Sequence, residues 1–232
     1  MDHHGWNVID ADAGVLWREY RFRGKAVATT LVFRGVDGGL VVVSPGMGLS
    51  APEYDALREF GEVRALVANN AFHHLGQRPW LEHFKDARSY APPRAVEMLG
   101  KKVPGVSFRP LNELPLPAHV RWEDAPGYKI GETILSIGTS RGSVWYSGDL
   151  LTNITNLPPA PVRWLFTWTG SAPGFRLFKP AVWALVKDRK VVRDWALARL
   201  AQDPPAIVVS AHGKPVEMAD VADQVKAQLE RL

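Results

Sequence analysis

The sequence has no cysteine. That absence excludes a disulfide framework, thiolate zinc sites, iron–sulfur clusters and a cysteine nucleophile. A metal ion in this chain must be held by His, Asp, Glu, Asn or the main chain. The sequence also lacks any apolar run approaching the ~18 residues of a membrane span. Its start, MDHHGWNVIDADAG, has no basic region followed by an apolar core. The expectation is a cytoplasmic protein without a leader. Charge of one sign is nowhere concentrated. The 28 Lys and Arg against 24 Asp and Glu leave +4, and the basic residues form no arm or block. Solvated surface charge accounts for that excess better than a nucleic-acid partner. No internal repeat of fixed period is found. His3 and His4 read as native residues of a disordered start.

What is present suits a folded enzyme-sized core. The 232 residues are 46% apolar, 22% charged and 10% aromatic. That supports one domain, or at most two small ones. A single domain over 1–232 is expected, with an aromatic-rich insertion at about 151–180. Strands are predicted at 14–21, 26–34, 39–44, 64–68, 119–123, 128–137 and 143–147, a short one in ARSYAPP, and one in PPAIVVS. Helices are predicted from a Ser50 cap to Phe60, near Arg78–Phe84, in PRAVEMLG, over 181–201 and over 215–231. Residues 101–117 read as Pro-rich connection. Strands followed by strand–helix units, twice over, suit two sheets packed face to face with helices outside.

Histidine carries the chemistry, because it alone binds transition metals strongly in a chain without cysteine. Of the seven, His73 and His74 follow a buried strand in LVANNAFHHLG, and His212 follows another in AIVVSAHGKP. A third strand end, VWYSGDLL, delivers Asp149. Polar groups just past buried strand ends are where α/β-type proteins place sites. His83 and His119 read as surface or structural residues. GTSRGS lacks the Lys-Ser/Thr of a phosphate loop, and Ser44, Ser147 and Ser210 lie outside G-x-S-x-G.

These residues, in this order, resemble the metallo-β-lactamase-fold hydrolases. That family carries H-x-H-x-D-H-x-G after a strand, a G-H-T-x-G-S turn, S-G-D-x-L and a closing x-H-G. ANNAFHHLG overlays the first motif, with Asn69 and Ala71 where its first two His stand, His73 for its Asp, and His74 and Gly76 matching. GTSRGS overlays the turn with Thr139 for His. YSGDLL and SAHG match and supply Asp149 and His212. The resemblance spans nearly the whole chain and points to a reduced branch with adjacent His-His. It implies an α+β fold, a four-layer αββα sandwich of two mixed sheets. It also implies that the residues private to one metal are lost, while His73, His74, Asp149 and His212 remain as ligands for the other.

The expected cofactor is therefore one divalent ion, zinc first, with iron, manganese or nickel as alternatives. His73 is expected to be the loosest ligand. The implied activity is hydrolysis of a small ester, thioester or phosphoester at a mononuclear site. Asp149 would orient the water or take its proton, and Asn69 and Thr139 would donate to the oxyanion. The other reading makes Asn69 and Thr139 a polar plug, and the chain an inactive protein that binds a metabolite or partner in the old cleft. For the aromatic segment 151–180, one reading is a lid over the metal side, with Trp164 and Trp168 on one helical face against the substrate. An accessory core or homodimer contact is the second. Membrane association, suggested by Arg163, Arg176 and Lys179 among the aromatics, ranks last.

Overall fold

Runs rich in Val, Leu, Ile and Thr, separated by glycine-containing turns, fold as strands, as their patterning predicts. The computed structural model describes residues 3–23 and 26–232. They fall into two compact units, Met1–Val120 and Arg121–Leu232.

The first unit holds a seven-stranded sheet: β1 (Asn7–Asp10), β2 (Val15–Arg23), β3 (Ala26–Arg34), β4 (Leu40–Val43), β5 (Val63–Val67), β6 (Arg88–Ala91) and β7 (Phe108–Pro110). The strands lie in chain order. β1 to β4 pair antiparallel, and β4 to β7 pair parallel. Parallel neighbours need crossovers. These are built on α1 (Ala51–Asp55), α2 (Gln77–His83) and α3 (Pro93–Lys102). β4 is buried at every position, as a strand covered on both faces must be. Trp80 is fully buried between Tyr54, Trp6 and Phe84, and its indole N–H donates to the Gly46 carbonyl at 2.7 Å.

The second unit holds β8 (Val120–Asp124), β9 (Thr133–Thr139), β10 (Gly142–Tyr146), β11 (Leu151–Ile154), β12 (Gly174–Leu177) and β13 (Pro205–Val209). Its main sheet runs β13-β10-β9-β8, and β11-β12 form a separate pair. β10 lies antiparallel to β9 and parallel to β13, so this sheet is mixed too. The helices are α4 (Val162–Thr169), α5 (Lys179–Leu185), α6 (Arg189–Gln202) and α7 (Val221–Leu229). Trp145, Val208, Val192, Ala196, Val225 and Leu229 anchor the core of the unit. Arg199 is buried, its charge met by Glu123 at 3.0 Å and by the Ser136 hydroxyl at 3.3 Å.

Several elements differ from expectation. β1 is an addition. The helix after Ser50 tightens into a 3-10 turn from Ala56 to Glu59. The 101–117 connection contains β7. The helix expected over 181–201 is two helices. Val186 leaves the helix to bridge Tyr128, and Asp188 restarts it by accepting from the Val191 N–H at 3.1 Å. The last helix begins only at Val221, because Val216 bridges Val208. His3 and His4 are ordered. The His3 ring meets Phe60 edge-on, and the His4 carbonyl accepts from Arg18. Among the described residues, no helix is long and apolar enough to cross a membrane.

Candidate metal centre

In the first unit, β5 runs into a loop whose first residues are fully buried: Ala68, Asn69, Asn70 and Ala71. The Asn70 side-chain oxygen accepts from the Phe72 N–H at 2.8 Å, closing a local turn. The Asn70 carbonyl accepts from the His73 N–H at 3.2 Å. His73 ends up buried. Gly76 opens α2 against the 45–46 main chain, where a Cβ would collide with the Pro45 carbonyl. The glycine of the His-His motif is thus required by close backbone approach.

His74 is half-buried in its own loop. Burial lowers its pKa first, and the Lys102 charge adds to that; hydrogen bonding to the Ala71 main chain opposes both. Lys102 itself donates to the Ala71 carbonyl at 2.9 Å and lies over the Phe72 ring. The balance keeps His74 a neutral imidazole.

In the second unit, β10 and β13 are laced together just past their parallel ends. The Ser147 N–H donates to the Val209 carbonyl and the Ala211 N–H to the Gly148 carbonyl, both at 3.0 Å. Asp149 and His212 therefore emerge side by side, with His212 Nε2 3.2 Å from Asp149 Oδ1. Two donors held at about 2.1 Å by one tetrahedral ion stand roughly 3.4 Å apart, so this spacing fits a shared ion. The His212 loop is pinned by β11. The Asn153 N–H donates to the His212 carbonyl at 2.8 Å, and Asn153 bridges Gly213. A Cβ on Gly213, at φ 102°, would overlap the Asn153 carbonyl. The Asp149 N–H donates to the Glu132 carboxylate at 3.1 Å. Within this unit, Asp149 and His212 are two donors placed to share one ion.

Thr139 is a correction. It pairs with Gly142 at one end of the β9–β10 hairpin, whereas Asp149 follows Tyr146, which pairs with Leu135 at the other. Four strand residues, roughly 13 Å, separate those ends. The Thr139 hydroxyl is spent on the turn, donating to the Gly142 carbonyl at 2.7 Å and accepting from the Arg141 N–H. It is no oxyanion donor. The residues at the Asp149 end lie upstream of β9, in Gly127-Tyr128-Lys129-Ile130-Gly131-Glu132. Tyr128 and Glu132 are both buried to about the last percent, at 1% exposure each. Burial, then the charges of Glu132 and Asp149, push the Tyr128 phenol well up, so it stays a neutral O–H. These two residues were missed because two windows, 127–131 and 138–142, each place glycines four apart. Only the strand pairing separates them.

Trp164 and Trp168 do share a face of α4, but that face is turned to solvent, at 64% and 79% exposure. The residues of this segment that reach toward the site are others. Phe166 meets Phe178 edge-on at 5.2 Å, and Phe178 lies 6.4 Å from the His212 ring.

No protein-family model and no curated protein matches the sequence. Solved structures match over nearly its full length. TMB-1 is 18% identical, with a TM-score of 0.60, covering 98% of this chain and 98% of its own. The metallo-β-lactamase DIM-1 is 15% identical, with a TM-score of 0.61 and coverages of 97% and 96%. The metallo-β-lactamase FIM-1 from Pseudomonas aeruginosa, in its mono-zinc form, is 12% identical, with a TM-score of 0.58 and coverages of 97% and 94%. The chain has the metallo-β-lactamase fold, α+β with two mixed sheets.

Proposed function

We propose that the chain is a hydrolase of a small ester, thioester or phosphoester, using one divalent ion held by His73, Asp149 and His212. The observation that carries this reading is the Asp149–His212 pair, delivered by two laced parallel strand ends at a spacing that suits shared ligation. The mono-zinc form of a protein with the same fold supports it, and His73 is the donor that the sequence motif adds. Zinc suits the two imidazoles and one carboxylate, and iron, manganese or nickel are the alternatives. Such an ion, when bound, supplies Lewis acidity and a water acidified toward pKa ~7.

The chain's own groups do the rest. Asp149 orients the attacking water or takes its proton. Its carboxylate is steered by its main-chain N–H, which is tied to Glu132. Asn69, fully buried, and the neutral Tyr128 phenol offer hydrogen bonds to the developing oxyanion. Losing one such donor costs roughly 100–1000-fold in rate. Neutral donors replace a second Lewis acid only weakly, so turnover should be slow.

Zinc titration of metal-stripped protein, followed by assay on aryl ester, thioester and phosphoester panels, tests this. One ion per chain and a hydrolysis rate lost in Asp149→Asn are the expected results. A second reading shares the same observation: Asp149 and His212 at 3.2 Å also make an ion pair, as in an inactive, metabolite-binding relative. A chain that takes up no metal and hydrolyses none of the panel would establish that reading instead.

A further inference from the structure

The outer face of α4 and α5 is apolar where a surface helix is normally polar. Val162, Trp164, Leu165 and Trp168 are 43%, 64%, 44% and 79% exposed, and Trp183 on α5 is 44% exposed. Trp168 and Trp183 meet edge-on at 6.3 Å, so the two helices present one aromatic patch. Lone exposed apolar residues need no explanation, but a contiguous patch marks an interaction site. Nor is it the substrate-facing side of the segment, since Phe166 and Phe178 point toward His212 instead.

Charge narrows the occupant. Between residues 157 and 190 the chain carries Arg163, Arg176, Lys179, Lys187, Arg189 and Lys190 against a single acid, Asp188. That acid is occupied in capping α6. Lys129 adds a further cation at the C-terminal end of α5, donating to the Ala184 carbonyl at 2.7 Å. This local excess stands out in a chain that is otherwise nearly balanced. A two-fold dimer through the face would set these cations against their own copies, because such an interface is self-complementary. Tryptophan rings flanked by Lys and Arg match instead the interface of a bilayer, where indoles sit at headgroup depth and cations meet lipid phosphates.

We propose that α4 and α5 form a docking face for an anionic lipid surface. Trp164, Trp168 and Trp183 enter the headgroup region, and the surrounding Lys and Arg hold the lipid phosphates. The chain lies on the membrane and does not span it. This is independent of the metal site.

The test uses the full chain with vesicles of phosphatidylcholine, alone or mixed with phosphatidylglycerol. The expected result is co-sedimentation and a blue shift of tryptophan emission with the anionic vesicles only, weakened at high salt as screening shortens the range of charge. Trp164→Ala with Trp168→Ala should weaken binding at least ~10-fold while leaving circular dichroism unchanged, because both rings face solvent. Arg163→Glu with Arg176→Glu should weaken it similarly, which controls for any fold effect of the tryptophan changes. Absent binding, equal binding to pure phosphatidylcholine, or a dimer in light scattering that the double tryptophan variant dissolves would each overturn the proposal.

Discussion

Gly213 sits at φ 102° with the Asn153 carbonyl where its Cβ would be. Alanine there meets both a left-handed backbone and a backbone collision. Gly213→Ala should destabilise the chain by more than ~2 kcal/mol in urea unfolding and move His212 off Asp149. The paired histidines divide more subtly. His73→Ala, Asp149→Asn and His212→Ala should each lower zinc affinity by more than ~100-fold, since the outer-sphere partners of ligands alone are worth 10–100-fold. His74→Ala should lower it far less, because the Lys102 charge acting on that ring disfavours a cation there. Calorimetric titration of the four variants separates these outcomes. Asp149 and His212 were legible because short motifs with close-packed glycines mark them. Tyr128 and Glu132 were not legible, because glycine spacing is degenerate and strand pairing is non-local.

At the scale of elements, short polar contacts decide where helices begin. α1 opens with Ser50 and Glu53, whose carboxylate accepts from the Ser50 N–H at 2.5 Å and its hydroxyl at 2.8 Å, and pairs with Arg18. Burial pushes the Glu53 carboxyl up, but these bonds from Ser50 and Arg18 outweigh it and hold the group below its usual range. The ionised form is thus favoured by folding. Its contribution is present above the unfolded value of about 4.3 and is lost as pH falls through the lower folded value. Glu53→Gln should therefore cost about 1 kcal/mol at pH 7, with the gap to wild type closing toward pH 3. Asp188→Ala removes the α6 cap and should likewise cost about 1 kcal/mol in denaturant unfolding. The α5–α6 break is a case of tertiary demand overriding a periodic pattern. The run 181–201 has continuous helical periodicity, and the interruption comes from a bridge to Tyr128, nearly 60 residues away. The late start of α7 has the same cause, since Val216 is taken by Val208. Strands such as β3 and β5, apolar runs bounded by turns, were legible almost to the residue, whereas β9, expected over 128–137, begins only at Thr133.

For the molecule as a whole, ligand binding should register as stability. With zinc at about 100 times its dissociation constant, folding gains ~2.7 kcal/mol, visible as a raised melting temperature that Asp149→Asn abolishes. Fold class was readable because the ordered set of strand-end motifs spans the chain, even where no one motif is complete. The two sheets also differ in the order in which they can be assembled on the ribosome. In the first, every strand pairs with the strand just before it in sequence, so each new segment finds its neighbour already made. In the second, β10 waits for β13, whose Val208 pairs with Trp145 across some sixty residues. Until those residues emerge, β10 offers a bare hydrogen-bonding edge in an apolar strand, an invitation to mispairing. Nascent chains stalled after α6 should therefore hold residues 1–120 resistant to protease while β10 remains open, and this is the stage at which holding chaperones would find the chain.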